Sequence, residues 1–196
     1  MINESDTSTR YAAFAELPLS CLEPGGWLRD YLQKQAGGLT GHIQRAGNPF
    51  TTSGWARKGR IPVTRGAGWW PYEQIGYWVD GAVRCGYLLG DKSLAEKPMR
   101  QVEAVLERAD PDGYLGPAHL KKIKGLERWP SAVLFRAMMA HYSATGDPRV
   151  PTALENHYLS GTCSHSRSRE TCHIEPITWT YGHTGNAALL DHAEKA

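Results

Sequence analysis

The chain is 196 residues long with a net charge of +2, 41% hydrophobic and 21% charged residues, which is enough apolar content for one core and excludes wholesale disorder. That charge is too mild to argue for a nucleic-acid or anionic-membrane partner, so neither is expected, and no apolar run approaches the roughly 20 residues of a membrane span. The polar start, Met1 to Thr7, lacks a signal-peptide core, so a cytoplasmic location is expected.

In chain order, residues 1–16 read as a loose lead-in, and 17–196 as one helical domain. Glu23-Pro24-Gly25-Gly26 is a turn before a helix from Trp27 to Gln35, stopped by Gly37-Gly38. The stretch from about Gln44 to Gly68 is long and irregular, rich in Gly, Arg, Thr and Pro around Trp55, and reads as a site-forming loop. A helix then runs from Trp70-Pro71 to Gly90. Its Ile75, Trp78, Val79, Ala82, Val83, Gly86 and Leu89 make an apolar stripe, while Glu73, Tyr77, Asp80 and Arg84 share a second face. Further helices are expected over Ser93–Arg108, Pro130–Ala144, Val150–Leu159, Thr171–His183 and Ala187–Lys195. The Met138-Met139 pair is core, the Lys121, Lys122, Lys124 run is solvated, and the four cysteines are free thiols.

A repeat runs through these helices. Tyr87-Leu88-Leu89-Gly90-Asp91, Tyr142-Ser143-Ala144-Thr145-Gly146-Asp147 and Tyr181-Gly182-His183-Thr184-Gly185-Asn186 each end a helix on Gly and cap the next with Asp or Asn. Stacked hairpins of this kind bury their faces only on their neighbours, and no strand pattern competes. The expected fold is all-α, a toroid or open solenoid of helical hairpins. The preceding helices open at Trp70-Pro71-Tyr72-Glu73, Trp129-Pro130 and Glu170-Thr171-Cys172, so aromatics and carboxylates should converge on one rim. Seven Trp and nine Tyr against three Phe fit such a lining, because both pair an apolar plate with a polar handle.

Leu17-Pro18-Leu19, Gly25-Gly26-Trp27-Leu28, Gly38-Leu39-Thr40-Gly41-His42, Trp70-Pro71-Tyr72-Glu73-Gln74, Tyr77-Trp78-Val79-Asp80-Gly81 and Asp112-Gly113-Tyr114-Leu115-Gly116-Pro117 occur in one order. Together they resemble the β-L-arabinofuranosidase family, glycoside hydrolase family 127, over residues 17–196. The resemblance implies an (α/α)6 barrel, of which this chain holds an incomplete N-terminal portion, and hydrolysis of a terminal β-L-arabinofuranoside in plant-type glycans. It also implies a cysteine nucleophile on zinc in the full-length protein. That nucleophile is not matched here, so the catalytic residues stay unassigned and the chain alone is expected to be inactive and poorly stable. Glu170-Thr171-Cys172 is similar to the family's zinc-ligand motif, with Cys163, His165 and His173 as local candidates for a third ligand. The hairpin rhythm instead has Glu170 opening a helix that touches sugar hydroxyls.

The expected substrate-binding set is therefore Trp70, Tyr72, Glu73, Asp80, Trp129 and Glu170, with a carbohydrate as partner. A non-catalytic sugar-binding or helical-repeat protein stands as the alternative. An unsaturated uronyl hydrolase or sugar epimerase on a similar toroid is a third reading, by fold analogy.

Overall fold

The structure is a computed structural model and describes residues 16–57, 59–61, 68–121, 129–160 and 170–195, with the side chains of His119 and Glu170 outside the description. The expected lead-in therefore lies almost wholly outside the described residues. Every regular element among them is helical: α1 (Gly26–Gly37), α2 (Trp70–Leu89), α3 (Lys92–Glu107), α4 (Ala118–Lys121), α5 (Pro130–Thr145), α6 (Arg149–Leu159), α7 (Ile174–Thr184) and α8 (Ala188–Lys195). Short 3-10 turns at Leu19–Cys21, Ile43–Ala46, Gly54–Ala56 and Glu170–His173 complete the set.

The hairpin joints follow from the chemistry read in the sequence. Gly90, Gly146 and Gly185 all stand in the left-handed region, at φ +66°, +71° and +71°, where a Cβ would be strained. Each amide returns to a tyrosine carbonyl near the helix end: Gly90 to Tyr87, Gly146 to Tyr142 and Gly185 to Tyr181. The next residue caps the following helix. Asp91 Oδ1 accepts from Leu94 N–H at 2.9 Å, Asp147 Oδ1 from Arg149 N–H at 3.0 Å, and Asn186 Oδ1 from Ala188 N–H at 3.1 Å.

These joints arrange the helices in two layers. In the first, α2, α5 and α7 lie side by side and run the same way. Trp69 meets Trp129, Gly76 faces Val133 and Tyr87 reaches His141, so positions advance together along α2 and α5. Arg136 faces Glu175, and Tyr142 packs on Trp179 and His183, which sets α5 and α7 parallel in the same manner. The second layer is made by the returning helices α3, α6 and α8. Gly86 lets α3 come close, since a Cβ there would stand 2.9 Å from the Ala95 Cβ.

Between the layers lies the core. Ile75, Val79, Val83, Val102, Leu134, Phe135, Met138, Val150, Leu154, Ile177 and Leu189 are all buried in it. Met139 is buried beside Met138, as expected. The region expected to form a site loop sends two side chains inward instead. Trp55 and Ile61 are buried against the start of α2, and Gly54 presses on Ile75. Cys21, Cys85 and Cys172 carry free thiols; Cys163 lies outside the described residues. Lys121 is not simply solvated: its Nζ bridges Asp110 at 2.8 Å and Asp112 at 2.6 Å. Lys122 and Lys124 lie outside the described residues. No described helix is long and apolar enough to cross a membrane.

Candidate functional site

Pro71 and Pro130 each start a helix where the missing N–H has no intrahelical carbonyl to meet, and each is preceded by tryptophan. Because α2 and α5 are parallel, these two mouths fall at one end. Trp69 and Trp129 pack there with ring centroids 5.3 Å apart. Trp129 is buried and Trp70 half-buried. Tyr72 lies in the core rather than at a rim. It is wholly buried, its hydroxyl accepts from the Ile61 N–H at 3.0 Å, and its carbonyl accepts from Trp55 Nε1–H at 3.0 Å. Burial pushes its phenol above the usual tyrosine range.

The second face of α2 behaves differently. Asp80 and Arg84, one turn apart, pair at 2.7 Å. Arg136 of α5 brings its Nε to 3.6 Å from Asp80 and 3.8 Å from Glu175 of α7. Arg84 also donates to the Arg136 carbonyl at 3.3 Å. A chain of alternating charge, Arg84, Asp80, Arg136, Glu175, thus crosses all three first-layer helices on the side away from the core. Tyr77 stands exposed and Glu73 half-buried on the same face of α2. Toward the C-terminal end of the layer, Leu19 N–H donates to Ser143 Oγ at 2.9 Å. Ser143 follows Arg136 by seven residues and so shares its face, which places the Pro18–Leu22 segment across that end.

Of the expected residues, the structure brings Glu73 and Asp80 onto this face, with Trp70 at its mouth. It puts Tyr72 and Trp129 inside the packing. The Glu170 side chain is outside the description. Sequence reasoning missed Arg136 and Glu175. The signal for Arg136 was available: it is the lone Lys, Arg, Asp or Glu between Pro130 and Thr145, and it is exposed on a helix otherwise buried from Pro130 to His141.

Cys172 is exposed on its 3-10 turn. Neighbouring His173 is buried, with Nδ1 3.0 Å from the Tyr158 hydroxyl. Among the described side chains none joins Cys172 in a metal-binding group. The Glu170 side chain, Cys163 and His165, which the resemblance would need as its other ligands, lie outside the described residues.

A second cluster, Glu103, His141 and Asp147, holds its ligand atoms within 4.8 Å of one another. Arg149 already supplies the cation. Its guanidinium meets both Glu103 oxygens at 2.9 and 3.0 Å and Asp147 at 2.6 and 3.0 Å. These bonds hold the Asp147 carboxyl far below the ordinary carboxylate range. Ionised Asp147 can only accept, so His141 Nε2, 3.2 Å away, carries the proton. His141 Nδ1 then accepts from the Tyr87 hydroxyl at 2.6 Å. The cluster joins α2, α3, α5 and α6 between the layers and leaves no room for a metal without expelling Arg149.

Along the second layer, the α3 end, the 109–113 loop and α6 enclose an open groove of about 920 Å³, lined by Leu106, Pro111, Pro148, Ala153 and Leu159 with Glu107 and Asp112 among its polar residues. No family model matches the chain, no curated protein is similar to it, and no solved structure matches its fold.

Proposed function

We propose that the free face of the α2–α5–α7 layer is the sugar-binding wall of a glycosidase of the β-L-arabinofuranosidase type, acting on a terminal glycosidic bond in plant-type glycans. The observation that carries this reading is the chain of alternating guanidinium and carboxylate groups across three parallel helices. A sugar ring presents vicinal hydroxyls that both donate and accept. Alternating donors (Arg84, Arg136) and acceptors (Asp80, Glu175) suit such a ligand, and their charges cancel, which suits a neutral one. Exposed Tyr77 beside them offers a plate for a ring face. Glu73 and Trp70 extend the wall toward the N-terminal mouth. Parallel helices on one side with their returns on the other are also the arrangement that closes into an (α/α)6 toroid, whose hollow this face would line.

The test is titration of the protein with arabinose-containing oligosaccharides, followed by heat or by amide chemical shifts, for wild type, Asp80→Asn and Arg136→Gln. Saturable binding weakened about tenfold or more by either variant is expected, with shifts clustered on α2 and α5. Binding unchanged in both variants removes this face from the site. Zinc-dependent turnover of an aryl arabinofuranoside by wild type separates the enzyme from a non-catalytic sugar binder.

A further inference from the structure

Helix α1 is the anomaly of the molecule. It has twelve residues and none is buried. Three of its exposed side chains are large and apolar: Trp27 at 79%, Tyr31 at 54% and Leu28 at 41%. Residues 27, 28 and 31 are one and four positions apart, so they form a single patch. Leu39, at 59% exposed, follows the helix. Half-buried Leu32, whose carbonyl lies 3.6 Å from the Cys85 thiol of α2, marks the inward side; Trp27 and Tyr31, about 100–140° round the helix from it, turn outward, with Leu28 at the edge of the patch. Asp30 and Lys34 flank the patch along one rim, and neither has an ion-pair partner among the described residues.

We infer that this face of α1 is a self-association surface, on which a second copy of the chain docks with the two α1 helices antiparallel about a two-fold axis. Two arguments fix the occupant. The first is charge. A two-fold perpendicular to antiparallel helices sets each rim against the same rim of the other copy. With Gly26–Gly37 fully overlapped, the axis passes between Tyr31 and Leu32. Asp30 then lies within about one residue rise, roughly 1.5 Å, of the level of the partner's Lys34. The pairing is reciprocal, so two ion pairs form, both from groups unpaired among the described residues of the monomer. In the same register Trp27 reaches the partner's Gly37 and the partner's Leu39, where the absence of a side chain on the glycine makes room for an indole.

The second argument is area. At roughly 150–250 Å² per aromatic side chain, the exposed fractions of Trp27 and Tyr31 with those of Leu28 and Leu39 amount to about 400–500 Å² of apolar surface. A standard interface takes about 800 Å² from each partner, a little over half of it apolar. The patch therefore supplies the apolar share of a self-complementary interface, and it matches the upper range of apolar patches left on a monomer.

The experiment is sedimentation equilibrium on the full chain from about 1 to 200 µM, for wild type, Trp27→Ala, Asp30→Lys, Lys34→Asp and the double swap Asp30→Lys/Lys34→Asp. All altered positions are exposed, and far-UV circular dichroism checks that each variant is folded. A concentration-dependent dimer is expected for wild type. Trp27→Ala and each single charge reversal should weaken it tenfold or more, since each reversal sets like charges together on both sides of the axis. The double swap should restore it to within about threefold, because the reciprocal pairs re-form with exchanged signs. A wild type that stays monomeric at 200 µM overturns the inference, whether α1 is then free or captured by another ligand. So does a dimer indifferent to both single charge reversals.

Discussion

Gly81 and Gly86 stand five residues apart on α2, and the same substitution at each should have opposite effects. A Cβ added at Gly81 meets nothing within 4 Å. Ala in place of Gly in a helix interior then gains about 1 kcal/mol from backbone entropy alone. At Gly86 the same gain applies, but the new Cβ would stand 2.9 Å from the Ala95 Cβ, 3.0 Å from its N and 3.1 Å from its Cα. The obstacle is the backbone of α3, which moves only with its whole helix. Overpacking of that kind costs about 1–3 kcal/mol. The propensity term is common to both variants, so their difference isolates the contact between α2 and α3 at about 1–3 kcal/mol. Urea denaturation followed by circular dichroism reads it directly. With a slope of about 2 kcal/mol/M, the midpoints should separate by roughly 0.5–1.5 M, Gly81→Ala above wild type and Gly86→Ala below Gly81→Ala. Gly76→Ala should fall between them, since its Cβ would meet Val133 at 3.2–3.3 Å and the Leu134 N at 3.5 Å, looser than the 2.9–3.1 Å contacts at Gly86. A Gly86→Ala protein as stable as Gly81→Ala would refute the close approach of the layers at this point.

The Cys85 thiol is buried, burial pushes its pKa up, and its Sγ lies 3.6 Å from the Leu32 carbonyl. A thiol reagent at pH 8 should therefore label Cys21 and Cys172 quickly in the native protein and Cys85 only on unfolding, as read by peptide mass; equal rates would contradict the packing of α1 on α2. Ser143→Ala removes the acceptor of the Leu19 N–H. It should cost about 0.5–1.5 kcal/mol and speed amide exchange over Leu19–Leu22, with α5 exchange following only the global loss. Asp147 has a folded-state pKa below its unfolded value, chiefly because of hydrogen bonds from Arg149. Its stabilising contribution is present above the unfolded carboxylate pKa of about 4 and is lost as pH falls below it toward the folded value. Asp147→Asn should lower stability at pH 7 and flatten the decline between about pH 5 and 2; parallel pH profiles for variant and wild type would be the contrary result.

How legible was this molecule before its coordinates? Most helix limits came through within a residue or two from local chemistry: Trp-Pro opens α2 and α5, and Gly followed by Asp or Asn closes one helix and starts the next. The exception is α7, because Glu170–His173 form a 3-10 turn and the helix expected from Thr171 begins at Ile174; the short α4 was not expected. Asp80 and Arg84 could be paired from their spacing, because four residues on a helix set side chains on one face. Tyr72 and Trp129 could not be placed. An aromatic at a helix mouth gives one pattern whether it faces a hollow or a neighbour, and the decision rests on Ile61 and Trp69, which are distant in sequence or irregular in local structure. The 44–61 stretch was obscure for a related reason. Trp55 and Ile61 sit in segments with no period, so nothing in the string says which side chain turns inward. His141 falls at helical spacing with Leu134, Ala137 and Met138, so in the sequence alone it is one more inward position of α5. Its partners Tyr87 and Asp147 appear only when α2 and the α5–α6 joint are brought beside it.

Two polar networks flank the α2–α5 pair, and their difference in completeness separates structure from function. The one between the layers is closed. Arg149 spends its donors on Glu103 and Asp147, Asp147 also accepts from His141, and His141 accepts from Tyr87, so each group meets a partner of opposite demand within 2.6–3.2 Å. A network whose groups already meet partners has little left to offer a ligand; its His141 is buried, while its Arg149 and Glu103 ends reach solvent. The network on the face turned away from the core is open among the described residues. Arg136 reaches Asp80 and Glu175 only at 3.6 and 3.8 Å, beyond hydrogen-bond distance, and makes no side-chain hydrogen bond among the described residues. Its guanidinium carries five N–H donors in a fixed plane, held between two acceptors and half in solvent. Open donors on Arg136 beside two carboxylates suit a ligand that offers both acceptors and donors at close spacing, as a polyol does, which is what the proposed sugar-binding reading needs.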